Sequence, residues 1–263
     1  MSEQRIAVVT GGGSGIGRAT ARRLAADGDL VVVADVNDAG AARVVDEIVA
    51  AGGDARAWHV DVAQEDSIRA LAEGVTAAVG MPSVLVNSAG VLQNLSLLET
   101  FDLAEHDRVW AINYRGTYLC CRAFAETMAE RGGGAIVNIS STSSVAAFPL
   151  LAYGPGKAAI NQLTAILAAE LGPRGVRVNA VIPGYVLTEQ MRSRIDAGLR
   201  DPSVMHAQSA LGCMVRPEDI ADGIAFLCSP AARMVTGVAL PIDAGWLASV
   251  TYNQYPGWPG GKR

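Results

Sequence analysis

Apolar positions along the chain fall into short continuous runs that alternate with stretches of helical spacing. Ile6 to Thr10 is a β-branched apolar run that stops at the glycine-rich turn Gly11 to Gly17. Ile16, Ala19, Thr20, Arg23 and Leu24 then begin a helical period. Leu30 to Ala34 predicts a second strand, ending at Asp35. Ala42, Val45, Ile48 and Val49 predict a helix that stops at Gly52-Gly53. A short strand is expected over Ala57 to Val60 and a helix over 65–79, with Ile68, Leu71, Ala72 and Val75 on one face. Val84 to Val86 reads as a buried strand running into Asn87-Ser88-Ala89-Gly90.

The second half repeats the pattern. A long helix is predicted over 104–130, then a strand from Ala135 to Ile139 and a helix ending near Leu171. A strand from Arg177 to Ile182 stops at Pro183-Gly184. A helix from Arg216 to about Leu227 and a strand from Val238 to Ile242 close the series. Continuous apolar strands alternating with amphipathic helices predict an α/β fold whose parallel sheet is covered on both faces. Residues 1–263 read as a single domain without linker or repeat. The polar stretch 187–215 is too long for a plain connection and reads as a substrate lid with its own short helices.

Half of the 263 residues are hydrophobic, enough for one large core. A net charge of −5 without a basic stripe argues against a nucleic-acid partner. No apolar run reaches the roughly 18 residues that span a membrane. The four cysteines lack metal or disulfide spacing, and the N-terminus lacks signal-peptide architecture. The expectation is a soluble cytoplasmic protein without a structural metal. Cys120 and Cys121 read as core packing.

The chemistry starts at Ser140 to Lys157. Tyr153 and Lys157 are four residues apart, so a helix puts a phenol and an ammonium on one face. A nearby cation favours the phenolate and is expected to lower its pKa, which suits the phenol to proton transfer. The first glycine turn, with Gly11, Ser14, Gly15, Ile16 and Gly17 between strand and helix, reads as a dinucleotide phosphate site. Its spacing is G-x-x-x-G-x-G. Asp35, at the end of the next strand, is placed to accept the ribose hydroxyls of NAD and to repel the extra phosphate of NADP. Asp61 and Val62 are candidates for adenine contacts, and Asn87, Ala89 and Gly90 end a strand where α/β ligand crevices lie.

Together, T-G-G-G-S-G-I-G, N-S-A-G, Asn113, the serine-rich strand end, Y-x-x-x-K and P-G resemble the short-chain dehydrogenase/reductase superfamily over about residues 5 to 245. The resemblance implies a doubly wound Rossmann-type three-layer sandwich with a seven-stranded parallel sheet, and a homotetramer. It also implies a catalytic set of Asn113, a serine, Tyr153 and Lys157, with Pro183, Gly184, Val186 and Thr188 beside the nicotinamide. Family spacing lands on Ser140; aligning the strand end V-N-I-S-S selects Ser141, which is preferred here. Ser88 replaces the family's second asparagine, and Gly154-Pro155-Gly156 fills the gap between tyrosine and lysine.

Position alone suggests Ser143, Gln93, Leu151 and Tyr185 as contacts to a small-molecule substrate. The expected activity is hydride transfer between NAD and a secondary alcohol or its ketone. An acyl-carrier-protein ketoreductase normally takes NADPH and carries basic residues; Asp35 and the net acidity count against it. A non-catalytic NAD-binding regulator need not keep all four catalytic residues. The C-terminal extension 246–263 holds Trp246, Tyr252, Tyr255 and Trp258, four of only 14 aromatic residues (4 Trp, 6 Tyr and 4 Phe). Disordered tails are poor in aromatics, so this one is expected to be ordered against a neighbouring subunit.

Overall fold

The computed structural model describes residues 4–253 and 256. Its strands form one parallel sheet in the order β3-β2-β1-β4-β5-β6-β7. They are β1 (Ile6–Thr10), β2 (Leu30–Asp35), β3 (Asp54–His59), β4 (Val84–Asn87), β5 (Gly134–Ile139), β6 (Val176–Pro183) and β7 (Ala239–Ile242). The helices α1 (Gly15–Ala26), α2 (Asp38–Ala50) and α3 (Glu65–Ala78) alternate with the first strands. The doubly wound Rossmann-type sandwich expected from the sequence is the observed architecture.

Strand alternation divides the core in two. Ala7, Val9, Val31 and Val33 face one layer, which includes Leu24 of α1, Ile48 of α2 and Ile220 and Ile224 of α9 (Pro217–Cys228). Val8, Val32 and Leu85 face the other, with Leu71 of α3, Phe124 of α5 (Gly116–Glu130) and Leu171 of α6 (Tyr153–Leu171). Both faces are dry, which is why Ile6–Val9 of β1 and Leu30–Ala34 of β2 are apolar at successive rather than alternate positions. The third strand differs from its expected range: it runs Asp54–His59, not Ala57–Val60. It is one of the two sheet edges, and Ala55 alone of its residues is fully buried. An edge strand therefore carries little of the apolar signal that marks a central one.

The long helix predicted over 104–130 is composite. Helix α4 (Leu103–Trp110) passes through a π-helical turn, Ala111–Arg115, into α5. Residues 187–215 carry two short helices, α7 (Glu189–Asp196) and α8 (Pro202–Gln208). Trp246 opens α10 (Trp246–Asn253) and packs within its own chain, stacked on Phe148 at 5.1 Å and edge-on to Tyr185 at 6.1 Å. Its Nε1 donates to Gln208 Oε1 of α8 at 3.2 Å. Tyr252 is exposed on α10, whereas Tyr255 and Trp258 lie outside the described residues.

Candidate active site

In a sheet of this order the sequence of strand addition reverses between β1 and β4, and the crevice outside their carboxyl ends is where ligands sit. A cleft of about 650 Å³ opens there. Its walls include Gly11, Ser14, Gly15 and Ile16 from the first turn, Asp35 from β2 and Asp61 and Val62 after β3. Ala89 and Gly90 follow β4, Ser141 follows β5, and Tyr153 and Lys157 come from α6. Pro183, Gly184, Val186 and Thr188 follow β6.

The glycine turn fits a dinucleotide diphosphate. Gly11 has φ +63°, and a Cβ there would come within 2.6 Å of the Ala89 backbone. A Cβ on Gly17 would come within 2.0 Å of the Gly11 carbonyl, so Gly17 sets how α1 meets the turn rather than lining the cleft. Ser14, the N-cap of α1, makes no side-chain capping bond. Gly15 and Ile16 of the first turn of α1 line the cleft, which brings the positive end of the helix dipole there, a ready anion site. Asp35 accepts from Gly13 N–H at 2.9 Å and from Asn37 N–H at 2.8 Å. One carboxylate therefore ties the phosphate turn to the end of β2 and fixes its own orientation. Asp61 Oδ1 accepts from Ala63 N–H at 2.9 Å while the residue stays on the cleft wall.

The end of β5 and the start of α6 bring the proton-transfer groups together. Ser140 is buried, and its Oγ donates to the Lys157 carbonyl at 3.2 Å. Ser141 hydrogen-bonds the Tyr153 hydroxyl, and its own Oγ accepts from Ser143 N–H at 3.2 Å. Lys157 is buried; its Nζ donates to the Ile139 carbonyl at 2.7 Å and lies 5.5 Å from the Tyr153 ring centroid. The expected lowering of the tyrosine pKa is not what this environment produces. Burial pushes the Tyr153 phenol up to about 12, against a smaller lowering from the Ser141 bond. Burial also pushes the Lys157 ammonium down to about 8. Both charged forms lose water here, and desolvation outweighs their neighbours.

Several residues expected at the site play other parts. Asn87 faces the interior: its Nδ2 donates to Asn138 Oδ1 at 2.9 Å and to Cys121 Sγ at 3.3 Å. Its side chain joins β4 to β5 and does not line the cleft. Cys120 and Cys121 are buried in the core, and burial pushes the Cys121 thiol up to about 12, so it stays protonated. Asn113 sits in the π-helical turn and grips Val91: Val91 N–H donates to Asn113 Oδ1 at 2.8 Å, and Asn113 Nδ2 donates to the Val91 carbonyl at 2.9 Å. Gln93, expected to read substrate, is 1% exposed, and its Oε1 accepts from Ala152 N–H at 2.7 Å and Tyr153 N–H at 3.0 Å. Ser143, Leu151 and Tyr185 also lie off the cleft wall. Ser143 backs the first turn of α6, and Tyr185 packs on Trp246.

Glu189 is a cleft residue that sequence reasoning missed. Thr188 caps α7, accepting from Met191 N–H at 3.2 Å, and so presents Glu189 in the first turn. Arg18 of α1 donates to Glu189 Oε1 at 3.1 Å and to Glu47 of α2 through two bonds of 2.9 Å. An acidic residue after an N-cap threonine was visible in the sequence; its partner, 171 positions away, was not.

The chain is similar to known proteins along nearly its whole length. The family model described as enoyl-(acyl carrier protein) reductase matches residues 11–247. The cis-4-hydroxycyclohexanecarboxylate dehydrogenase of Sinomonas cyclohexanicum is 40% identical, over 93% of this chain and 97% of its own. The D-threitol dehydrogenase of Mycolicibacterium smegmatis is 38% identical, over 92% of each chain. A solved structure described as a candidate NAD(P)-dependent gluconate 5-dehydrogenase from Beutenbergia cavernae, with NADP bound at low occupancy, superposes with a TM-score of 0.86. It is 38% identical, covering 93% of this chain and 97% of that one. These relatives are oxidoreductases of hydroxy compounds, and the family takes a nicotinamide dinucleotide. With its seven-stranded parallel sheet, its glycine turn and its serine, tyrosine and lysine on one cleft wall, this chain belongs to the short-chain dehydrogenase/reductase superfamily.

Proposed function

We propose that the chain is an NAD-dependent dehydrogenase of a secondary alcohol, with Tyr153 as its general acid and base. The observation that carries this reading is the cleft itself, where Tyr153, Ser141 and Lys157 share a wall and Asp35 stands at the end of β2. Bound at the glycine turn, the dinucleotide supplies the ring carbon that takes or gives the hydride. Gly11, Ser14, Gly15 and Ile16 at the α1 N-terminus would hold its phosphates, and Asp35 would take its ribose hydroxyls. A carboxylate there disfavours a further phosphate, which supports NAD over NADP.

Ser141 orients the substrate oxygen and Tyr153 exchanges a proton with it. A phenol near 12 is almost wholly protonated at neutral pH, so a cation must offset the cost of ionising it before it can accept a proton. Lys157, near 8, is mostly an ammonium at neutral pH and stands beside the ring. Asn113, through its place in the π-helical turn, extends the proton path away from Lys157. The stretch 187–215 closes over the substrate. The assembly is a homotetramer with the C-terminal extension near a subunit contact. A small hydroxylated substrate, a polyol or a cyclic hydroxy compound, suits the relatives' named activities.

The test is a panel of polyols and cyclic alcohols with NAD and with NADP, followed by nicotinamide absorbance, for wild type and Tyr153→Phe. Expected are NAD-supported turnover and a loss of about a hundredfold or more in the variant, with dinucleotide affinity unchanged. Turnover that survives in Tyr153→Phe rejects the tyrosine. A preference for NADP rejects the reading of Asp35. Tight NAD binding without turnover supports a regulator instead.

A further inference from the structure

The helix that carries Tyr153 begins badly by its own sequence. Its N-cap is Ala152, which has no side-chain acceptor for the first-turn N–H groups. Its first turn holds Gly154 and Gly156, which give the backbone little stiffness. The donors can nevertheless be accounted for one by one. Gly154 N–H donates to the Leu150 carbonyl at 3.0 Å. Pro155 has no N–H. Gly156 N–H starts the regular ladder on the Ala152 carbonyl at 3.1 Å. Two donors remain, those of Ala152 and Tyr153 itself, and both end on one atom, Gln93 Oε1.

Gln93 reaches them from a segment that is neither helix nor strand, 60 residues before Tyr153. That segment is pinned two residues earlier, where Val91 exchanges both backbone bonds with the Asn113 side chain. The amide is almost fully buried, and its Nε2 has no partner among the described residues. A glutamine buried with half its amide unsatisfied carries a cost that an apolar side chain would avoid. Its oxygen is the part of the amide that the fold uses.

We infer that Gln93 is a positioning residue: its amide oxygen supplies the missing cap of α6, fixes the backbone of Tyr153 and links Asn113 to Tyr153 through residues 91–93. This rests on the reading of Tyr153 as the proton-transfer group. Gln93 touches no reacting atom in this role. It decides where the phenol stands relative to Ser141 and Lys157.

Two substitutions separate cap from bulk. Gln93→Met keeps the volume and removes the acceptor. Gln93→Glu keeps the acceptor, places an anion at a helix N-terminus where it is favoured, and removes the unsatisfied donor. In Gln93→Met, kcat should fall roughly ten- to a hundredfold, as for a displaced catalytic group, while the KM for dinucleotide is unchanged. Amide exchange at Ala152 and Tyr153 should accelerate. In Gln93→Glu, slow exchange should persist and kcat for alcohol oxidation should return at high pH, with the ascending limb of the profile moved to higher pH, because a carboxylate beside Tyr153 raises its pKa.

Unchanged kcat and unchanged amide exchange in Gln93→Met overturn the inference. If that variant does not fold, Gln93→Glu decides alone: fast amide exchange at Ala152 and Tyr153 overturns the inference, and slow exchange together with a shifted profile supports it. Tyr153→Phe run alongside separates the two failures. If it is inactive while Gln93→Met is fully active, only the role of Gln93 is wrong. If it is active, the reading of Tyr153 is wrong, and amide exchange still reports the cap.

Discussion

Lys157 stands one helical turn beyond Tyr153, with its nitrogen 5.5 Å from the tyrosine ring centroid and bonded at 2.7 Å to the carbonyl that ends β5. The bond holds the ammonium at the mouth of the strand, and the helix sets its distance from the phenol. Burial opposes the charge of both groups: the phenol moves up to about 12 and the ammonium down to about 8. Neither ionises as it would in water, so the pair is sensitive to pH and to any further charge that enters the cleft.

That sensitivity should appear in stability. The folded pKa of Lys157, about 8, lies below the ordinary lysine value of 10.5. Between the two values the unfolded chain binds more protons, so stability rises with pH through this window, by at most ~1.4 kcal/mol per pH unit. Tyr153 runs the other way: its contribution is intact below 10 and is lost as pH rises from 10 towards 12. Urea midpoints of wild type and Lys157→Met, compared at about pH 7.5 and about pH 9.5, isolate the lysine. Wild type should gain on the variant at the higher pH; an unchanged gap excludes a buried lysine that titrates near 8.

The two serines after β5 should separate by function. Ser141→Ala removes the hydroxyl that bonds Tyr153 and should lower kcat by about a hundredfold or more, leaving stability nearly intact. Ser140→Ala removes the donor to the Lys157 carbonyl inside the core and should cost ~1 kcal/mol of stability while keeping most turnover. Thermal melts and steady-state rates on both variants check this. The reverse pattern would assign the catalytic hydroxyl to Ser140.

Glu189 should compete with the cofactor. Its carboxylate is held below the usual carboxylate range chiefly by its own backbone N–H, with Arg18 and the Gly15 N–H adding to the effect. It therefore draws on the same α1 N-terminus that would hold a diphosphate. Glu189→Gln should tighten dinucleotide binding about two- to fivefold, the worth of one charge at a helix N-terminus. Fluorescence titration with NADH measures it, and weaker binding in the variant would show that Glu189 helps the cofactor instead.

The relative order of strands and helices was legible because burial on both sheet faces leaves continuous apolar runs, as in Leu30–Ala34 and Ala135–Val137. The edge strand Asp54–His59 was displaced in the reading because one face of it meets solvent and its apolar positions thin out. Tyr153 and Lys157 could be paired from spacing alone, since four residues on a helix make one face. The assignment of Gln93 to substrate contact failed for the opposite reason. Nothing near Gln93 in sequence reveals that the N-cap it completes is at Ala152.

By itself, then, the sequence determined what is local: the strand–turn–helix alternation, the glycine turn before α1, the acidic end of β2 and the one-turn spacing of phenol and ammonium. Such features follow from periodicity and backbone sterics within a few residues. The tertiary structure alone decided which side chains meet across the sheet. It turned Asn87 into the core, gave Ser141 rather than Ser140 the contact with Tyr153, and brought Glu189 to Arg18 and Gln93 to the head of α6. It also decided the sign of the tyrosine shift. Spacing supplies the neighbouring cation, but only packing sets how much water the phenol loses, and here desolvation is the larger effect.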